Sequence, residues 1–297
     1  MNSISPDDVS CVIPYAGAQC YIGEVLRSAV EQRFHEIIIV NDGCDPGQLA
    51  EAARQPQVRI IHLPQSVGCP NARNVGIKAC LTPYVVMLDH DDLLREGYLP
   101  AMISWVTQHG LRCAAATLRY IGENPARVGA LVSRHPDFFM PSGFFSEISL
   151  LSEVGYFPDS CGDDFLLFRS IRQVTKLMTC PDAGVLYRIH PQAESSRNTR
   201  LWWAFSRLFP LYEQGDLTLA EVNRVAREFA ANGAIPGGME SRLSGLGEAN
   251  ARFLARSLYA CWLNRDLPGF LRYGVKLLRY LPDSLRLALL KWRKAEN

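Results

Sequence analysis

Five consecutive residues, Leu88-Asp89-His90-Asp91-Asp92, carry three carboxylates within four positions, directly after an apolar run. In an extended chain alternate residues share a face, so Asp89 and Asp91 point the same way. Packing two anions together is unfavourable unless a cation or hydrogen-bond donors compensate. A divalent ion already holding substrate phosphates would do so, because Mg²⁺ takes one or two protein carboxylates plus phosphate oxygens. The alternative is an acidic loop that caps the helix after it.

A second segment, Gly68-Cys69-Pro70-Asn71-Ala72-Arg73-Asn74-Val75-Gly76, runs from a loop into a helix with an arginine in its first turn. Backbone N–H groups at that end attract anions, and a guanidinium there can grip phosphate or brace carboxylates. The segment has no Gly-Lys-Ser/Thr, so it is not a Walker loop, and it is not the dinucleotide GxGxxG. A plain helix cap with a surface arginine is the alternative.

The elements that must position these residues follow from periodicity. Val9–Pro14, Glu36–Val40, Val58–Leu63 and Tyr84–Leu88 are runs rich in β-branched residues and bounded by turn residues, which suits buried parallel strands. Tyr21–Gln32, Gln48–Arg54 and Asn71–Cys80 between them have helical spacing. Alternating strands and helices with right-handed crossovers give an α/β fold, a mostly parallel sheet with helices on both faces. Ligands bind beyond the carboxyl ends of such strands. Pro14-Tyr15, Asn41-Asp42-Gly43 and Asp89 to Asp92 stand there.

Further along, Tyr98–His109 reads as a helix, Cys113–Ile121 as a strand and Pro141–Phe145 as a turn-rich entry to a helix. Asp163–Val174 reads as a helix, and Leu177–Cys180 and Gly184–Ile189 as short strands. Strand signals stop after Asn198, which divides the chain into 1–197 and an all-helical extension, 198–297. Leu201–Tyr212, Leu219–Ala231, Glu248–Asn264, Leu267–Leu281 and Ser284–Lys294 are its expected helices.

Length and composition bound the rest. The 297 residues are 48% apolar and 21% charged, which excludes disordered, collagenous and coiled-coil chains. The net charge of +1 does not point to a nucleic-acid partner. It hides an asymmetry: residues 252–297 hold ten Lys/Arg and three Asp/Glu, so this tail is +7 and the remainder −6. Nine cysteines form no CxxC and no compact Cys/His array of the kind zinc needs, and read as reduced thiols. With no export signal and no long apolar span, the expected location is the cytoplasm.

CVIPYA, IIIVNDGCD, GCPNARNVGIKA and YVVMLDHDD resemble, in order and rough spacing, the motifs of the inverting GT-A glycosyltransferases of family 2. PSGFFSEISLLSEVGYFPDSCGDDFLLFRSI is similar to that family's acceptor-side segment, and YRIHPQAESS to its closing one. The resemblance covers about Val9 to Ser196 and implies a GT-A type, Rossmann-like sheet. It also implies a sugar transferred from a nucleoside-diphosphate donor, UDP first, to an acceptor hydroxyl with inversion. By position it puts the nucleotide pocket on Pro14, Tyr15 and Asp42, with Asp42 on the base, and brings Arg73 to the nucleotide or its diphosphate. Asp89 and Asp91 become the DxD pair, Asp89 nearer the ribose and Asp91 on a divalent metal (Mn²⁺ or Mg²⁺), with Asp92 in support. His190 matches a position that in some relatives faces the diphosphate and metal. The resemblance makes Asp164 the expected general base, beside Asp163. Three departures stand out: Ala16-Gly17 follow Tyr15 without the family's Asn, Asn41 and Cys44 replace a common Asp and Ser, and the acidic doublet begins with Asp163 in place of Glu.

Other residues get plainer readings. His35, His62, His109 and His135 have no partner pattern, Trp202-Trp203 suit a helical core, and Cys69 and Cys161 lack an activating base. Two rival functions differ in what they need. A nucleotidyltransferase wants a basic Gly-rich loop after the first strand, where Pro14-Tyr15-Ala16-Gly17 has no basic residue; a silent binding module has no use for an intact DxD and Asp164. The acceptor is expected to be a glycan or a lipid-linked saccharide of cell-surface polysaccharide or glycolipid synthesis, and self-association into a homo-oligomer is compatible with the chain. In the tail, Leu277, Leu278, Leu281, Leu285 and Leu289 alternate with Lys276, Arg279, Arg286 and Lys291 at helical spacing. That suits a packed helical bundle, or peripheral contact with the inner face of an anionic membrane.

Overall fold

The computed structural model describes residues 3–17, 19–123, 128–129, 139–193 and 199–232. The chain divides into two compact units, Met1–His190 and Pro191–Asn297. The helices expected over 248–264, 267–281 and 284–294, with the whole basic tail, lie outside the described residues.

In the first unit the strands are β1 (Val9–Tyr15), β2 (Glu36–Asn41), β3 (Val58–His62), β4 (Tyr84–Met87), β5 (Leu93–Leu94), β6 (Cys113–Gly122), β7 (Phe144–Glu147) and β8 (Met178–Ile189). The helices are α1 (Gln19–Val30), α2 (Cys69–Ala79), α3 (Tyr98–His109), α4 (Ile148–Glu153) and α5 (Asp163–Val174). One sheet runs β3-β2-β1-β4-β7-β6-β8-β5.

The apolar runs of β1 and β2 are buried along their whole length, as expected of strands covered on both faces. Alternation sends Val9, Cys11, Ile13 and Tyr15 into one core with Val25 and Leu26 of α1 and Leu99 and Met102 of α3. Val12, Ile38, Val40 and Met87 face the other core, with Ile77 of α2, Leu150 of α4, and Leu167 and Ile171 of α5. Gly76 lets α2 lie close to the sheet, because a Cβ there would run into the Val12 side chain and crowd Val40.

The expected mostly parallel sheet is corrected to a mixed one. The β3/β2, β2/β1, β1/β4 and β6/β8 pairs are parallel, and β4/β7, β7/β6 and β8/β5 antiparallel. The cause lies at the carboxyl end of β4. Gly143 N–H donates to Met87 C=O at 2.7 Å, so the chain enters β7 from that edge and runs back along β4. β5 leaves the same edge after the acidic turn and also runs back. Three further readings are corrected. Gln48–Arg54 forms two short 3-10 turns, Pro46–Leu49 and Ala52–Arg54, starting at a proline that lacks an N–H. Pro141–Phe145 contains the start of β7, and β8 is one strand that accommodates a register shift opposite Ala116/Thr117.

The second unit contains α6 (Thr199–Glu213) and α7 (Leu219–Asn232). Thr218 and Glu221 close a reciprocal cap at the start of α7: Glu221 Oε2 accepts from Thr218 N and Oγ1, and Thr218 Oγ1 accepts from Glu221 N. Among the described residues no helix is long and apolar enough to cross a membrane.

Candidate active site

Every candidate site residue from the sequence falls in the first unit, most of them near the carboxyl ends of β1, β2 and β4. The acidic turn follows β4, with Asp92 N–H closing on Asp89 C=O at 3.2 Å. Asp89 N–H reaches Ser142 Oγ at 3.3 Å, ahead of β7. His90 Nδ1 lies 3.0 Å from Pro14 C=O; a carbonyl only accepts, so the ring donates and ties this turn to β1.

Arg73 joins the two acidic motifs. Its Nη2 donates to Asp89 Oδ1 at 2.7 Å and its Nη1 to Asp163 Oδ2 at 3.1 Å, with the side chain only 8% exposed. The guanidinium carbon stands 5.3 Å from the Phe157 ring centroid. Burial works against its charge, but Cys69, Asp89 and Asp163 outweigh this and hold its pKa well above the ordinary value. The helix that carries Arg73 is itself clamped: Asn74 Nδ2 donates to Phe157 C=O at 2.7 Å, and Asn74 Oδ1 accepts from Phe157 N–H at 3.0 Å.

Asp164 lies beside Asp163 in the first turn of α5 and accepts from Phe165 N–H at 2.6 Å. Burial, and then the neighbouring Asp163 charge, push its carboxyl up to about 7, the range in which a carboxylate accepts protons readily. Asp91 Oδ2 lies 2.9 Å from His190 Nε2, with side chains 16% and 3% exposed. Asp92 is fully buried; its Oδ1 accepts from Arg188 N–H at 2.8 Å, while among the described residues Oδ2 meets no hydrogen-bond partner. Burial, then Asp91 and Asp89, hold its pKa well above the usual carboxylate range.

At the expected nucleotide end two side chains bond within the protein. Asp42 is buried, and its carboxylate accepts from Ser66 Oγ (2.7 Å), Val67 N–H (2.6 Å) and Gly68 N–H (3.1 Å). It therefore braces the loop that enters α2. Gly43 permits the approach, with φ +76° and no room for a Cβ against the Gln65–Ser66 backbone. Tyr15 is fully buried, its hydroxyl donating to Gln48 Oε1 at 2.8 Å. Burial, then Cys44 and Cys20, push that hydroxyl up to about 12. Pro14 supplies its carbonyl to His90.

Sequence reading missed Ser142, Asn74 and Arg188. Only Arg188 had a usable signal, since it stands two residues before His190 on an extended segment.

A divalent cation can be tested against these donors. Among the described residues no group of three or more His, Cys, Asp or Glu side chains is arranged to hold a metal. Asp91 Oδ2 accepts from His190 Nε2–H at 2.9 Å, and both atoms become metal ligands once a cation displaces that proton. Adjacent ligands on an octahedral ion with bonds of ~2.1 Å stand about 3 Å apart. The pair fits a cation that takes its other ligands from phosphate oxygens and water.

An open α/β sheet with carboxylates clustered at its carboxyl edge defines the class, an α/β fold whose site lies beyond the carboxyl ends of its strands. More narrowly, the family model for glycosyl transferase family 2 matches residues 10–171, and the chain belongs to that family. The uncharacterized glycosyltransferase EpsJ of Bacillus subtilis (strain 168) is 33% identical over 109 residues, 35% of this chain and 31% of EpsJ. The match thus spans about a third of that relative's length. The succinoglycan biosynthesis protein ExoO of Rhizobium meliloti (strain 1021) is 24% identical over 274 residues, 83% of this chain and 75% of ExoO. Residues 1–349 of S. aureus TarS, in complex with UDP-GlcNAc, superpose with a TM-score of 0.53 at 19% identity, covering 89% of each chain. That likeness concerns the fold.

Proposed function

We propose that this chain transfers a sugar from a nucleoside-diphosphate donor, UDP first, to an acceptor hydroxyl with inversion. The observation that carries the reading is the Arg73 bridge, which brings the carboxylate turn after β4 and the acidic doublet of α5 into one site. A donor-side cluster and a base with a carboxyl pushed up to about 7 then stand within reach of one another.

In this reading Asp89 faces the ribose, and Asp91 and His190 hold a Mn²⁺ or Mg²⁺ ion. Bound there, the ion would stabilise the charge that develops on the leaving diphosphate. Asp164 takes the acceptor proton as the hydroxyl attacks the anomeric carbon, in a single displacement. Arg73 holds Asp163 against Asp89, and Asp42 serves the nucleotide through the 66–68 loop that it braces. Asp92 supports the turn from below. The proposed catalytic domain is 1–197, with 198–297 as a helical extension.

Family membership and the name of ExoO support an acceptor in surface polysaccharide or glycolipid synthesis, a glycan or lipid-linked saccharide. The basic tail would keep the protein at the inner face of the membrane. The test is a thermal-shift screen of nucleotide-sugars with and without Mn²⁺, followed by NMR of the product's anomeric configuration. Stabilisation by one UDP-sugar with Mn²⁺, and an inverted product, are expected.

A further inference from the structure

Arg188 has no part in the roles above, yet it makes two directed hydrogen bonds to the acidic turn. Its backbone N–H donates to Asp92 Oδ1 at 2.8 Å, and its Nε donates to Asp91 C=O at 2.9 Å. Its Nη2 donates to Glu24 Oε2 of α1 at 2.7 Å. The guanidinium carbon stands 4.5 Å from the Tyr21 ring centroid, and the same ring lies 4.9 Å from that of His190. Asp91 is therefore held twice, by His190 at its carboxylate and by Arg188 at its main chain. Both holders rest on one aromatic ring of α1.

We propose that Arg188, seated on Tyr21 and anchored by Glu24, is a positioning residue that fixes the Asp91–His190 pair for a divalent cation. This rests on the reading in which that pair binds metal. Small hard cations demand near-ideal ligand placement, and the outer partners that orient the ligands commonly govern affinity. An arginine suits the task because Nε and Nη2 form a rigid fork serving two acceptors in different directions, which a lysine cannot do. The Arg188 side chain is 13% exposed and that of Glu24 46%. An ion pair with so exposed a partner contributes little stability by itself, so its value lies in aiming the guanidinium. Simple glue between β8 and α1 would require neither the bond to Asp91 nor a ring shared with His190.

The experiment measures Mn²⁺ binding to the full chain in the presence of UDP, by electron paramagnetic resonance, and metal-free UDP binding by calorimetry. Arg188→Gln is expected to weaken Mn²⁺ binding roughly 10–100-fold, with metal-free UDP affinity little changed. Arg188→Lys is expected to share the loss. Glu24→Gln, altered at the exposed end, gives a smaller loss in the same direction and serves if Arg188→Gln does not fold. Tyr21→Phe keeps the ring and should bind Mn²⁺ as the parent does, whereas Tyr21→Ala should not. Unchanged Mn²⁺ binding in the Arg188 and Glu24 variants overturns the proposal, as does an equal loss of Mn²⁺ and metal-free UDP binding. A parent protein that binds UDP but no Mn²⁺ removes the metal pair and this role with it. A parent that binds neither refutes the nucleotide-sugar reading itself.

Discussion

Replacing Asp164 by asparagine removes a proton acceptor while keeping an oxygen where Phe165 N–H donates at 2.6 Å. Burial and then Asp163 raise the Asp164 carboxyl from 3.8 to about 7, so the folded protein resists its ionisation. Each pKa unit is worth about 1.4 kcal/mol, so a rise of about three units sets a ceiling of about 4 kcal/mol. Asp164 is partly exposed, and screening by water brings the expected effect to about 1–2 kcal/mol. The sign follows from linkage. A folded pKa above the unfolded one contributes stability that is complete below about pH 4 and is lost as pH rises through about 7. Asparagine copies the protonated form, so Asp164→Asn should melt higher than the parent at pH 8, and the difference should shrink toward pH 4. Transfer should fall roughly 10²–10⁴-fold, the usual weight of a general base. The parent's rate should climb with pH through about 7 as the base ionises. Single-turnover transfer and calorimetric melting at pH 5 and pH 8 read both effects. A variant that melts lower at pH 8 and keeps its activity would show that Asp164 only caps α5, and the chemical argument would fail.

Three other outcomes are expected. Asp91→Asn should keep metal-free nucleotide binding and lose Mn²⁺-dependent transfer, read by calorimetry and UDP release; full activity in excess chelator would contradict the assignment. Arg73→Gln leaves Asp89 and Asp163 without their shared cation and should cost about 3–5 kcal/mol in urea unfolding; an unchanged midpoint would mean that water compensates both carboxylates. Gly76→Ala should cost about 1–3 kcal/mol by crowding Val12 and Val40, with nucleotide affinity unchanged, and parental stability would show that α2 can move outward at no cost.

The parts legible in the sequence are those encoded locally. β1, β2 and β4 are apolar runs long enough to be covered on both faces, and α3 and α5 begin and end where periodicity places them. The carboxylate turn was visible because three acids follow a buried strand. β7 and β5 were not, since Phe144–Glu147 and Leu93–Leu94 become strands only by pairing with distant partners. That distance also hid the state of Asp42, whose three donors, Ser66, Val67 and Gly68, lie more than twenty residues away. Arg73 could be picked out as a candidate, but its bonds to Asp89 and Asp163 join residues 16 and 90 positions away and were not legible locally.

The central claim is nucleotide-sugar-dependent transfer from the carboxylate site, and donor turnover by the full chain tests it most directly. A panel of nucleotide-sugars is incubated with the protein and Mn²⁺, and release of the nucleoside diphosphate is followed. The account predicts release from one donor, dependent on Mn²⁺, lost in Asp91→Asn and lowered roughly 10²–10⁴-fold in Asp164→Asn. Release that survives chelator and both substitutions, or no binding and no release with any donor, would contradict it.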